Sequence, residues 1–121
     1  MKQFEPQEKL YRAIYPPDKM AMYWKENGEL SSAAFKDRCG LSVERGYGRL
    51  DCDVAAEMHN YFDGLIYSIT VGDCENECAY VVYLPSLRSK YHTEIHGSKE
   101  RVVLSASQCK ALSRKAKYVP Y

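Results

Sequence analysis

The chain has 121 residues, 45% of them hydrophobic and 27% charged, with a formal charge of +1. That length fits one domain of about 100–150 residues. The composition excludes a collagen-like or disordered chain, and no run approaches the roughly 18 apolar residues of a membrane span. The near-neutral balance makes nucleic acid an unlikely primary partner, because such binding rests largely on a surplus of cations that neutralise phosphates.

Residues 9–15 mix aromatic and β-branched side chains and stop at Pro16 and Pro17. A proline lacks the N–H that a ladder needs, so a strand is expected to end there. Alternation places Leu10, Arg12 and Ile14 on one face and Tyr11, Ala13 and Tyr15 on the other. Residues 16–30 show no clean period. Asn27-Gly28 signals a turn, and Met20, Met22 and Trp24 suggest a loop that packs down. Ser31 and Ser32 lead to Phe35, expected in the core, and residues 41–45 read as a short strand closed by Gly46 and Gly48.

Residues 51–62 read as a helix, capped by Asp51 or Asp53, with Val54, Met58 and Tyr61 on one stripe. Residues 65–71 and 79–84 read as two strands of a hairpin around the polar stretch 72–77. Residues 86–99 look irregular, and 101–104 look like a short strand. Ser105 and Gln108 have capping-box spacing, so a helix is expected over 106–117. Its apolar stripe is Cys109, Leu112 and Ala116, and its other face carries Lys110, Arg114, Lys115 and Lys117. The order of elements predicts one α+β domain over residues 1–121, a small, mostly antiparallel sheet with two helices.

The N-terminus shows no apolar signal segment, and the five cysteines are an odd count. Together these point to a soluble, cytoplasmic protein with reduced thiols. Cys74, Cys78, His92 and His96 match the spacing of a zinc finger. The stretch between them is strand-like and ends in Pro85 rather than in the helix a finger needs, so no metal site is expected.

Arg12 is the sharpest signal for a site. A guanidinium inside an apolar strand either pairs with a carboxylate such as Glu57 or points into a cleft and holds an anion. The hydroxyls of Ser31 and Ser32 could bond phosphate or sugar oxygens. His92, Glu94 and His96 share one side of an extended segment, where a histidine and a glutamate can do acid–base work. The expected ligand-binding residues are therefore Arg12, Ser31, Ser32, His92 and Glu94. The eleven tyrosines and the cations of the last helix offer a surface for a protein partner.

The segments 10–14, 28–35 and 40–45, with His92 and Gly97, resemble a family of small, uncharacterised bacterial and phage proteins. That resemblance implies a small accessory protein, and the residues add an anionic small molecule or nucleotide as its ligand, with no obligatory cofactor. A looser similarity is to NAD-using folds of the ADP-ribosyltransferase and RES-toxin type, which open with a Tyr-Arg strand. This likeness implies an NAD-consuming enzyme in which Arg12 holds a pyrophosphate, Ser31 or Ser32 supports the nicotinamide ribose, and Glu94 or Glu57 polarises it.

Overall fold

The structure, a computed structural model, describes residues 3–121. Met1 and Lys2, where the signal-segment reading begins, lie outside the described residues. The elements are β1 (Lys9–Ile14), β2 (Leu41–Arg45), α1 (Asp51–Met58), β3 (Leu65–Thr70), α2 (Val71–Asn76), β4 (Tyr80–Tyr83), β5 (His92–His96), α3 (Ala106–Lys115) and β6 (Lys117–Tyr118). The strands form one six-stranded sheet in the order β4-β5-β2-β1-β3-β6. Every neighbouring pair is antiparallel, as expected of an α+β chain without βαβ units.

The alternation read from β1 sorts its residues between two cores. Leu10 and Ile14 join the larger core with Phe35, Ile95, Cys109 and Leu112. Tyr11 and Ala13 join the smaller one with Val54, Met58 and Ile66. Successive side chains of a strand leave opposite faces, so the sheet is covered on both sides. α3 and the 3-10 turn Ser32–Phe35 cover one face, and α1 covers the other. Fully burying a Leu, Ile or Phe contributes about 1.5–3 kcal/mol, so these two layers are the main source of stability.

α3 starts where the capping box placed it. The Ser105 hydroxyl accepts from the Gln108 N–H at 3.1 Å, and the Gln108 side chain accepts from the Ser105 N–H at 2.8 Å. The Gln108 amide also donates to the carbonyls of Glu77 and Gly97, tying the helix start to two loops. α3 ends two residues short of the expected end, and Lys117 belongs to β6.

The expected hairpin does not form. β3 runs directly into α2, because Thr70 and Asp73 make a second capping box, with N–H···O distances of 2.9 and 3.0 Å. The polar residues of 72–77 therefore form a helical turn, not a reversal. It carries the chain to the far edge of the sheet, where β4 pairs β5 instead of β3. The segment 101–104 is not a strand, while β5 lies inside the stretch read as irregular. β5 mixes His, Thr and Glu, so its strand character comes from pairing on both sides rather than from local propensity.

Candidate functional site

β1 pairs with β3 along its whole length, yet with β2 only through Leu10–Arg45 and Tyr11–Glu44. Past Tyr11 the ladder stops, and the Arg12 side chain takes up bonds there. Its Nε donates to the Ala34 carbonyl at 2.9 Å and its Nη1 to the Ser42 carbonyl at 3.1 Å. The guanidinium thus satisfies the Ser42 carbonyl, which a continuous strand would have met with a backbone N–H, and ties the strand to the 3-10 turn through Ala34. Burial pulls its pKa below the ordinary arginine value, partly offset by Asp37, but a guanidinium keeps its charge in proteins. Among the described residues no carboxylate lies within ion-pair distance of it. Nη2 makes no hydrogen bond to a described residue and is not sealed from solvent.

A cleft of about 230 Å³ opens at this break, lined among others by Arg12, Ser42, Glu44, Phe62, Arg88 and His92. Arg88 sits over the Phe62 ring, 4.9 Å from its centroid. Glu44 is already engaged. It accepts from the Ser89 hydroxyl at 2.8 Å and faces Arg49 at 3.4 Å. Arg49 in turn stacks on Tyr91 and bonds Glu57 at 2.8 Å, so Glu57 partners Arg49 and not Arg12. Two arginines line the cleft against one carboxylate whose charge is largely answered, and the local field favours anions.

His92 reaches the cleft from β5. Its Nδ1 lies 2.8 Å from the Leu84 carbonyl, an acceptor only, so Nδ1 carries the proton. Its Nε2 faces the Ser42 hydroxyl at 3.3 Å. Glu94 and His96 share the His92 side of β5, as alternation requires, but they bond each other at 2.8 Å. This pair packs under Gly40, whose φ is +91°. A Cβ there would come within 2.6 Å of the Glu94 carboxylate, so Gly40 both turns the chain and leaves room for the pair.

Of the expected ligand residues, the structure brings Arg12 and His92 to one cleft. Ser31 and Ser32 do not line it. The Ser31 hydroxyl donates to the Met22 carbonyl at 2.7 Å, and Ser32 is exposed at the start of its 3-10 turn. Of the groups named with Arg12 for an NAD-like site, the Ser31 hydroxyl bonds the Met22 carbonyl, Glu94 bonds His96 and Glu57 bonds Arg49. Ser42 and Arg88 are the residues that sequence reasoning missed. Ser42 had a signal, because it occupies the outward parity between Leu41 and Val43. Arg88 had none, since its place depends on how the 84–91 loop folds back over Phe62.

Cys74 is buried in α2, with its thiol pushed up to about 12 by burial, and Cys78 is exposed. Neither joins His92 or His96, and among the described residues no group of three or more His, Cys, Asp or Glu side chains could hold a metal. Cys109 is also buried, its thiol donating to the Phe35 carbonyl, and burial raises its pKa; Cys39 and Cys52 are exposed. Lys110, Arg114 and Lys115 stand exposed along α3. Among the described residues no helix is long and apolar enough to cross a membrane.

Comparison with protein-family models, with curated proteins and with solved structures returns no match.

Proposed function

We propose that the cleft at the β1–β2 break binds a small anionic ligand bearing a phosphate or a carboxylate. One observation carries this reading: Arg12 is a partly buried cation held by two backbone carbonyls, with no carboxylate of the described residues within ion-pair distance and with Nη2 unbonded to any described residue and not sealed from solvent. A structural arginine taken out of water is ordinarily matched by an acid, since the cost of desolvating the charge is otherwise unanswered. Arg88 adds a second cation at the rim, and Phe62 supplies an apolar wall for the uncharged part of a ligand. An accessory role in a bacterial or phage setting belongs to the same proposal and rests on the resemblance of the three segments. A cytoplasmic location rests on the odd number of cysteines.

Thermal unfolding tests the reading. Inorganic phosphate, AMP, NAD and citrate are compared with chloride at matched ionic strength. A ligand at 100 times its Kd raises stability by about 2.7 kcal/mol. At least one of these anions should raise the melting midpoint, and Arg88→Ala, an exposed substitution, should reduce that rise. If none of them exceeds chloride, or if Arg88→Ala responds as the parent does, the cleft is not an anion site.

A further inference from the structure

The pair Ser42–His92 fits a second role in the same cleft. Ser42 lies on β2 and His92 on β5, and the register pairs Ser42 with Glu94 and Glu44 with His92. Ser42 and His92 are therefore diagonal neighbours on one face, within reach of each other. The histidine is oriented from a third element. The Leu84 carbonyl, just past β4, holds Nδ1–H at 2.8 Å. That contact fixes the tautomer of the neutral ring and leaves Nε2 as an acceptor aimed at the Ser42 hydroxyl, 3.3 Å away. A hydroxyl, a base and a group that orients the base are the parts of an activated nucleophile, and the hydroxyl–base distance in ligand-free sites is often slightly long. Ser42 is exposed to the cleft, so a substrate can approach it.

We infer that Ser42 is an acyl-transfer nucleophile, with His92 as its general base, acting on a small carboxylic ester that carries a negative charge. The charge requirement rests on the anion-binding reading of the cleft, with Arg12 holding the anionic group. His92 Nε2 takes the Ser42 proton as Oγ bonds to the ester carbonyl carbon, and the carbonyl π pair moves to oxygen. Arg88 is the cation available to that oxyanion. The intermediate collapses and the bond to the alkoxy oxygen breaks. The proton on Nε2 passes to the leaving oxygen, releasing an alcohol. A water then gives its proton to Nε2 and attacks the acyl carbon, Oγ leaves and is reprotonated, and the carboxylic acid departs. Ester and water give acid and alcohol, with no redox partner. Because a neutral carbonyl, not a carboxylate, orients His92, the imidazolium gains less support than in a triad with an acid, and turnover should be slow.

The test uses the full chain with a fluorophosphonate probe and with two chromogenic esters, 4-nitrophenyl hemisuccinate and neutral 4-nitrophenyl acetate. Peptide mapping should place one adduct on Ser42 ahead of every other serine. Ser42→Ala, which removes an exposed hydroxyl and no backbone bond, should abolish it. His92→Gln should slow labelling about 100-fold or more, the scale of a lost general base. The hemisuccinate should be hydrolysed faster than the acetate. Labelling spread evenly over the serines, labelling unchanged in His92→Gln, or ester hydrolysis that survives Ser42→Ala would overturn the assignment. If phosphate still raises the melting midpoint while Ser42 stays unlabelled, only the nucleophile fails. If Ser42 labels but no anion stabilises the chain and the acetate is cleaved as fast as the hemisuccinate, the anion-binding reading fails and the nucleophile stands.

Discussion

Arg12 and Arg45 stand at the two ends of the same short ladder and solve opposite problems. Arg45 pairs with Leu10 where β1 and β2 are joined, and its side chain is fully buried. Glu8 meets it with two oxygens, Nε–Oε2 at 2.7 Å and Nη2–Oε1 at 2.8 Å, and the rings of Phe4, Tyr47 and Tyr83 lie over it. Arg12 lies just past the point where the strands part, with carbonyls in place of a carboxylate. The first arginine is closed off by its own chain, binding the N-terminal segment to the sheet. The second keeps an open side. A buried cation in contact with its acid is a structural clamp, and a partly buried cation held only by carbonyls is a place for a ligand to supply the contacting charge.

The contrast can be broken most severely at the clamp. Arg45→Leu leaves the Glu8 carboxylate, only 8% exposed, without its cation, and should cost about 3–5 kcal/mol in urea unfolding. Adding Glu8→Leu should recover much of that loss; if it does not, the ring contacts, not the ion pair, hold the segment. Next comes Arg12→Met, which orphans the carbonyls of Ala34 and Ser42 and should cost about 1–3 kcal/mol. It should also erase any phosphate-dependent rise in midpoint, whereas the Arg45 variant with Glu8→Leu should keep it. Equal phosphate responses in the two variants would dissolve the distinction drawn between the arginines.

Smaller effects sharpen the picture on either side of the cleft. Gly40→Ala combines a left-handed backbone with a collision against Glu94, so a loss of more than about 1 kcal/mol is expected in the same urea assay. Tyr11→Phe removes the 2.5 Å hydrogen bond from the phenol to Asp51 and should cost about 1 kcal/mol at neutral pH. That bond, with Lys9, holds the Asp51 carboxyl below the usual carboxylate range. A carboxyl depressed in the folded state stabilises the fold at pH values above its unfolded pKa, and the benefit fades as pH falls through the folded value. The gap between Tyr11→Phe and parent should therefore be full at pH 7 and narrow in acid. A gap that widens toward low pH would contradict the assignment.

Local patterns made part of this molecule legible. The alternation of 9–15 gave β1 its two faces, Ser105 and Gln108 gave the start of α3, and Phe35 went to the core. What stayed hidden depends on partners distant in sequence. Nothing local says that Arg45 meets Glu8, or that Glu57 turns to Arg49 and not to Arg12. The hairpin reading failed because Thr70 and Asp73 cap a helix with residues that also favour turns. At the site, Arg12 and His92 stood out as a charged and an ionisable residue in extended segments. Ser31 and Ser32 stood out only as small hydroxyl residues, and that chemistry is common to many loops. Ser42 matters because β2 and β5 are neighbours, a fact that pairing settles and composition does not.

The five thiols divide the chain into an inner and an outer population. Cys39, Cys52 and Cys78 meet solvent, while Cys74 and Cys109 sit in the same core on two different helices. An alkylating reagent will therefore tag three positions at once and then wait. The fourth and fifth tags arrive only when the layer between α2, α3 and the sheet comes apart, so their arrival clocks the opening of the interior without any engineered label.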